Sequence, residues 1–501
     1  MIKELMFITV IALYAFQTNA QRLLTYEQAV GIALNESYTI QSHAEELKAM
    51  EYSYLYYKAQ FKPRIDLNLF SPSWSENVTA VERADGLPVY NSVGDMKFGG
   101  DLAFTYVLPT GGDLSLNTVV YHQQVSASLA EQDYLSLKRK QAFNQFGIWF
   151  NQPLFTKNKL KENLKEAGYK YEKSRHVYTR IQMDIIYRVT ESFYALYKCK
   201  YQKQINEERL KNSEEAYRIA QLKLGTGDLP EAEVMNSEVV MAQDNARLLE
   251  SGSMLETQKD KFKLLIGLDM KEEIDIIADT EFETVLIDLQ TAIDEALKNR
   301  LEIRESELDI HLQEIEVDRA KREREIKGSL QAYYDFTGVS TRTNTLGDRF
   351  ASAMDNLSER PANRGVTFTV SVPIADWGRG KNKTRYAQTQ LNAQKLYAEN
   401  LQHQIVQEIR EIARTVSDAE TRVHINRKNS EVAAQSYKVA QMRFRNGDIS
   451  SLELAISQDQ LATVQLSFIE SFITYQMSLT DLKRKTMWDF ENNRSYKAIE
   501  N

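Results

Sequence analysis

The stretch AYRIAQLKLGTGDLPEAE at 216–233 returns at 436–453 as SYKVAQMRFRNGDISSLE. Aligned without a gap, residues 216–238 and 436–458 are identical at 7 of 23 positions, and seven more are conservative exchanges such as Arg218 against Lys438 and Leu229 against Ile449. The shared Gly–Asp falls between two helical runs in both copies. An internal repeat constrains a fold more than any local pattern, because the chain must then be two copies of one architecture. The openings of the two halves agree with this. Glu27–Gln28–Ala29–Val30–Gly31–Ile32–Ala33–Leu34 is answered by Gln290–Thr291–Ala292–Ile293–Asp294–Glu295–Ala296–Leu297.

Four long segments are helical in pattern: 154–224, 230–266 (ending at Gly267), 379–444 and 450–487. Two shorter ones, 36–62 and 300–327, precede zones of polar–apolar alternation. With only 20 Gly and 8 Pro in 501 residues, helix breakers are scarce. At 1.5 Å per residue, a helix of about 70 residues spans on the order of 100 Å, more than a globular core needs. Residues 36–62 and 230–266 together are about as long as 154–224, and 300–327 with 450–487 are as long as 379–444. Two shorter helices stacked end to end against one long helix, in both halves, predict a double-layered rod or tube that turns at Gly–Asp.

The remaining segments alternate with period two. Val366, Phe368, Val370 and Val372 interleave with Thr367, Thr369 and Ser371, and Leu330, Ala332, Tyr334 and Phe336 with Gln331, Tyr333, Asp335 and Thr337. In the first half Ile65/Leu67/Leu69, Leu102/Phe104/Tyr106/Leu108, Leu114/Leu116/Thr118/Val120 and Phe146/Ile148/Phe150 do the same. Strands of about ten residues with one apolar face suit an outer-membrane barrel, where every backbone group must be paired in a closed sheet. A soluble β-sandwich with one wet face fits the strands alone, but gives helices of about 100 Å nothing to extend.

The mean hydropathy is −0.47, and no run of about 18 apolar residues follows the N-terminus, so membrane-spanning helices are not expected. The net charge of −8 argues against nucleic acid, whose phosphates require a basic face. Lys3, the apolar stretch Leu5–Phe16 and the small residues ending at Ala20 read as a secretory signal, residues 1–20, leaving a mature chain from Gln21. The single cysteine, Cys199, lies between Lys198 and Lys200, so there is no disulfide within the chain and no cysteine near Ala20 to take a lipid.

No active site is legible. His43, His122, His176, His311, His403 and His424 have no metal-ligand spacing. Gly225–Thr226–Gly227 follows a helix rather than a strand and is too short for a phosphate loop, and no nucleophile elbow occurs. Neither an enzyme nor a cofactor or metal is expected.

In its order of features the sequence resembles the TolC family of outer-membrane efflux proteins over nearly all of the mature chain. The resemblance rests on the two-fold repeat, on Gln152–Pro153–Leu154–Phe155 and Val372–Pro373–Ile374 before the long helices, on the Gly–Asp turns, and on the paired Ala-x-x-x-Ala-Leu openings. It implies an α+β membrane protein, a long antiparallel α-helical coiled-coil barrel joined to a transmembrane β-barrel that a homotrimer shares. It implies two repeats: 21–288, with strands at about 64–152, and 289–501, with strands at about 329–373. The implied function is a passive exit duct, in the outer membrane and periplasm, of a tripartite efflux or type I secretion system. Its partners would be outer-membrane lipid, a periplasmic adaptor and an inner-membrane pump, which would choose the substrate. The alternative is a periplasmic coiled-coil protein without a pore. One departure is an extra hairpin near 98–122, around Leu108–Gly112, which adds strands to the barrel or lies outside its wall.

The repeated turns then become the adaptor-docking tips: Thr226, Gly227, Asp228 and Leu229, and Asn446, Gly447, Asp448 and Ile449. Asp228 and Asp448 are suited to cap the returning helices, Pro230 to a first helical turn, and Ser450-x-x-Glu453 to a capping box. By the resemblance, Glu453 falls on the first of two acidic rings that pinch the tunnel, with Glu233 its counterpart in the first copy, while Ile456 removes the second ring. Phe444 and Ile449 stand where the family has a Tyr and an Arg that lock the closed tip.

Overall fold

The structure is a computed structural model, described for residues 22–82, 86–128, 136–279, 284–340 and 345–496. The expected signal segment, residues 1–20, lies outside these. In chain order the elements are β1 (Arg22–Leu24), α1 (Tyr26–Glu36), α2 (Tyr38–Ala59), β2 (Arg64–Glu82), β3 (Pro88–Val107), β4 (Asp113–Ser128), β5 (Ser136–Leu154), α3 (Lys159–Thr226) and α4 (Glu231–Ile266). There follow β6 (Ile274–Ile276), α5 (Leu289–Asn299), α6 (Leu301–Arg322), β7 (Lys327–Val339), α7 (Leu346–Asp355), β8 (Asn363–Ser371), α8 (Arg379–Asn446), α9 (Ser451–Thr486), β9 (Trp488–Asp489) and β10 (Arg494–Ser495).

The helices of the two halves pair in length: 11 residues each for α1 and α5, 22 for α2 and α6, 68 for α3 and α8, and 36 for α4 and α9. The starts of α1 and α5 are 263 residues apart and those of α3 and α8 are 220 apart, so the first half holds 43 more residues between them. That excess sits in the strands. The segment 36–62, read as one helix, is broken at Ser37, whose ψ of 129° ends α1 before α2 begins. Arg300, with ψ 122°, makes the same break before α6. α3 starts at Lys159 rather than at 154 because β5 runs on to Leu154, and Asn158 Oδ1 then caps the helix by accepting from the amides of Leu160 (2.9 Å) and Lys161 (3.1 Å).

The chain divides into two compact units. One comprises residues 22–48, 172–307 and 395–496, the other 49–171 and 308–394. In the first, Ile185, Val189, Phe193 and Leu196 of α3 are buried against Ala29, Ala33, Phe262 and Ile266. The second repeat builds the matching core from Ile405, Ile409, Ile412 and Val416 of α8 with Ala292, Ala296, Phe472 and Tyr475. The small openings Ala29/Ala33 and Ala292/Ala296 let a short helix approach its long partner closely, which is what the paired Ala-x-x-x-Ala text encodes.

The other unit contains one antiparallel six-stranded sheet, ordered β2-β3-β4-β5-β7-β8. The extra hairpin β3–β4 therefore lies inside the sheet, between β2 and β5. Its turn is tight: Leu108 N donates to Gly112 O at 2.8 Å and Gly111 takes φ +93°. Register places the alternating apolar residues of all six strands on one face. Ile65, Phe104, Leu116, Ile148 and Tyr334 form one row across five strands, and Tyr106, Leu114, Phe150, Ala332 and Val366 another. The opposite face is polar, with Asp66, Asn117, Asp335 and Asn363 in one row and Asn363 Nδ2 donating to Asp335 at 2.9 Å. The apolar face is bare, Val366 being 75% and Leu67 63% exposed. The region 329–373, read as strands alone, also holds the ten-residue helix α7. Thr345 caps it by accepting from Asp348 N at 3.2 Å.

Candidate functional site

The two repeated turns are built alike. α3 ends on Gly227 at φ +82° and α8 ends on Gly447 at φ +91°. Gly227 N donates to Leu224 O at 3.0 Å and Asp228 N to Lys223 O at 2.9 Å; Gly447 N donates to Phe444 O at 3.0 Å and Asp448 N to Arg443 O at 2.9 Å. This is the Schellman pair of bonds, in which a left-handed Gly just past the helix satisfies its last carbonyls. The repeated Gly–Asp is thus a helix stop written twice. Thr226, Gly227, Asp228, Asn446, Gly447 and Asp448 are exposed, and Leu229 and Ile449 half-buried.

Neither aspartate caps a returning helix, contrary to expectation. The cap of α9 is Ser450, two residues beyond Asp448, and α4 starts after Pro230, whose ring carries no hydrogen-bonding group. Asp228 instead accepts from Thr226 Oγ1 at 2.7 Å. The Ser450-x-x-Glu453 capping box is present. Glu453 N donates to Ser450 Oγ at 3.2 Å, and Ser450 N donates to Glu453 Oε2 at 2.9 Å. Ile456 is 59% exposed.

Glu233 makes a bond that the sequence did not disclose. With Pro230 at the cap position it has no box of its own to complete. Its Oε2 accepts from the backbone N (3.1 Å) and Oγ (2.7 Å) of Ser451, at the first turn of α9. At the same tip, Lys223 Nζ of one hairpin donates to Phe444 O of the other at 3.2 Å, at the last turn of α8. A carboxylate thus meets a helix N-terminus and an ammonium a helix C-terminus, each the favourable sign for the helix dipole. Phe444 is buried with Tyr437 and Leu454, and Ile449 packs against them, so an apolar cluster stands where the resemblance led one to look for a polar lock.

Farther from the turns, charged groups cross-link three helices. Arg209 of α3 pairs with Asp244 of α4 at 3.2 Å and with Asp459 of α9, while Arg247 reaches Asp244 at 3.2 Å and Asp459 at 3.3 Å. The Asp244 side chain is 1% exposed. Gln458 Nε2 donates to Arg209 O at 3.0 Å. Burial, helped by the Asp244 carboxylate, pushes Tyr437 up to about 12.

Among the described residues there is no group of three or more His, Cys, Asp or Glu able to hold a metal, and no helix is long and apolar enough to cross a membrane. What remains is a helical tip and a sheet with one apolar face. Residues 292–484 match the family model described as outer membrane efflux protein. Over that stretch, the second repeat, the chain is similar to the outer membrane efflux family. Solved structures agree in fold across nearly its full length. The Campylobacter jejuni CmeC outer membrane channel superposes with a TM-score of 0.67 at 13% identity, covering 94% of this chain and 87% of that one. The open state of the Neisseria gonorrhoeae MtrE outer membrane channel gives 0.65 at 12%, with 94% and 91% covered. The outer membrane protein VceC from Vibrio cholerae gives 0.61 at 12%, with 92% and 95% covered. No curated protein sequence matches. The matched family is one of outer-membrane proteins.

Proposed function

We propose that the protein is the exit duct of a tripartite efflux or type I secretion assembly, working as a homotrimer. The carrying observation is the sheet. Its six strands are antiparallel with one bare apolar face, and among the described residues β2 and β8 leave two unpaired edges. In lipid an unpaired edge is costly, and pairing β8 of one copy with β2 of the next removes every edge once the ring closes. Six strands from each of three copies give eighteen, and barrels of about 16–18 strands leave an aqueous channel. The extra hairpin β3–β4 supplies a third of that wall, so this duct is wider at the membrane than one built from two strands per repeat.

The exposed turns Thr226–Leu229 and Asn446–Ile449 form the surface that meets a periplasmic adaptor linked to an inner-membrane pump. Glu453 is exposed and held at a fixed angle by its capping box. Three copies of it around the axis form an acidic ring at the constriction. Glu233 serves instead to join the two hairpins through Ser451.

Planar-bilayer recording of the purified protein tests both levels. The wild type should conduct with a preference for cations, and Glu453→Gln should lower that preference and relieve block by multivalent cations, because charged rings set pore selectivity. Gln serves the capping box as well as Glu, so folding is unaffected. No conductance in the wild type would reject the duct. Conductance with unchanged selectivity in the variant would leave Glu453 a capping residue only.

A further inference from the structure

Helix α7 lies against the bare apolar face of the sheet. A Cβ at Gly338 would come within 1.9 Å of Ala353 O, so helix and strand backbones touch with no room for a side chain between them. Asn144 Nδ2 donates to Phe350 O at 3.3 Å, and Val339 N to Asn356 Oδ1 at 3.5 Å. These bonds and the full burial of Ala353 hold α7 in one place. Gly338 and Asn144 are register partners and share the face of the apolar rows. The next row on that face is Phe146 with Phe336, and Phe146 is 39% exposed.

The chain enters and leaves the sheet at Arg64, Leu154, Lys327 and Ser371, and α7 lies toward the other end. Between the Leu154–Gly328 pair and the Asn144–Gly338 pair run ten residues of strand. At about 3.3 Å per residue and the usual tilt of barrel strands, that height is about 25 Å, the full apolar band of an outer-membrane barrel. α7 is therefore at the rim of the band, at the end of the sheet opposite to Arg64, Leu154, Lys327 and Ser371.

Its own sequence fits that place. Leu346, Phe350, Ala353 and Met354 recur at i, i+4, i+7 and i+8 on one arc, with Asp348 and Asp355 on the other. The sheet covers Ala353, but Leu346 is left 43% and Met354 63% exposed. The apolar arc is wider than its protein contact, and it continues a face that is itself bare. We propose that α7 is an interfacial helix whose exposed apolar side chains enter the outer-leaflet lipid of the outer membrane, at the boundary of headgroups and acyl chains. This rests on the reading that the apolar face of the sheet meets lipid.

Single nitroxide labels test it, in a Cys199→Ser background and in phosphatidylethanolamine–phosphatidylglycerol vesicles. Labels go at Met354→Cys, at Leu346→Cys as a second site, at Val366→Cys in the band and at Asp355→Cys on the polar arc. Collisions with oxygen, which partitions into lipid, are compared with collisions with a water-soluble nickel chelate. The expected result is oxygen preference at 354 and 346, shallower in depth than at 366, and nickel preference at 355. Nickel preference at 354 and 346 with oxygen preference at 366 would overturn the assignment of α7 while leaving the lipid-facing sheet intact. Nickel preference at 366 as well would remove the reading on which it rests, and the proposal with it.

Discussion

The two hairpin ends are the same device up to their last carbonyl and different from the next residue on. Both stop on a left-handed Gly with the same two bonds. Both hold the outgoing and returning helices together by an Asn that donates to a backbone carbonyl across them: Asn206 to Arg247 O at 3.1 Å, Asn426 to Ser467 O at 3.2 Å, 220 residues apart. They diverge at the cap. Ser450 lets Glu453 close a box within its own helix, whereas Pro230 in the same place leaves Glu233 without that partner, and its carboxylate turns to Ser451 of the other hairpin. One exchange, Ser for Pro, changes a local cap into a bond between repeats. The charge cluster shows a second divergence. Where the first hairpin has Arg209, Asp244 and Arg247, the second has Asn429, Val464 and Ser467. The first copy thus supplies three of the four charges of the cluster, Asp459 being the second copy's share, and the second copy supplies the self-contained cap. The physical lesson is that a duplicated element keeps what its backbone needs and becomes free to vary where a neighbour can satisfy it.

The largest effect is expected at the buried charge. Asp244→Val installs the residue of the second hairpin and leaves Arg209 with only the exposed Asp459. It should cost about 3 kcal/mol, since removing one partner of a buried pair strands the other. Adding Arg209→Asn, again the residue of the second copy, should recover much of the loss. Thermal unfolding of the detergent-solubilised protein followed by circular dichroism gives both numbers. A neutral Asp244→Val would show that the cluster holds nothing together.

Next comes the Schellman glycine. Val at Gly227 or Gly447 must adopt positive φ, at about 1–2 kcal/mol. A Cβ at Gly227 meets nothing within 4 Å, but one at Gly447 lies 3.4 Å from Lys223 Nζ and disturbs its bond to Phe444 O. Gly447→Val should therefore loosen its turn more than Gly227→Val does. Hydrogen exchange at 224–228 and 444–448 reads the difference, and equal effects would break the asymmetry.

A smaller effect, about 1 kcal/mol as for a lost N-cap, is expected for Glu233→Ala. Pro230→Ser sharpens this, because it offers Glu233 a box of its own. Both variants should speed exchange of the Ser451 amide. Unchanged protection there would mean that the inter-hairpin bond is dispensable.

The smallest concerns Tyr437, buried in the second hairpin, whose counterpart Tyr217 is half-buried. A phenol raised from 10 to about 12 on folding contributes stability that is complete below pH 10 and is lost as pH rises through about 12. Tyr437→Phe should flatten the fall of melting temperature between those values. An identical slope in the variant would assign the alkaline loss to other groups.

Much of the architecture is carried by local text. The repeat, the Gly–Asp stops, the scarcity of breakers and the period-two runs each act on the backbone within a few residues, and so they are readable one segment at a time. Ile185, Val189, Phe193 and Leu196 announce a buried stripe by spacing alone. α7 was missed although its signals are local, namely a Thr345 cap and Leu346, Phe350, Ala353 and Met354 on one arc, because ten residues between two strands read as connection. Asp228 and Asp448 do not cap, because the Schellman bonds use the amides of these very residues and carry the chain two residues farther before the helix restarts.

The sequence by itself determined the elements that hydrogen-bond within themselves: helix lengths, stops, the Ser450–Glu453 box and the alternation of the strands. Only the tertiary structure decided the pairings between distant residues. Glu233 to Ser451 spans 218 positions, and Arg209 to Asp459 spans 250. The extra hairpin likewise took its place inside the sheet through strand neighbours that no local pattern specifies. A carboxylate's choice of partner depends on which amide the fold brings within about 3 Å, and that distance is set by the packing of α3, α4, α8 and α9 rather than by any spacing along the chain.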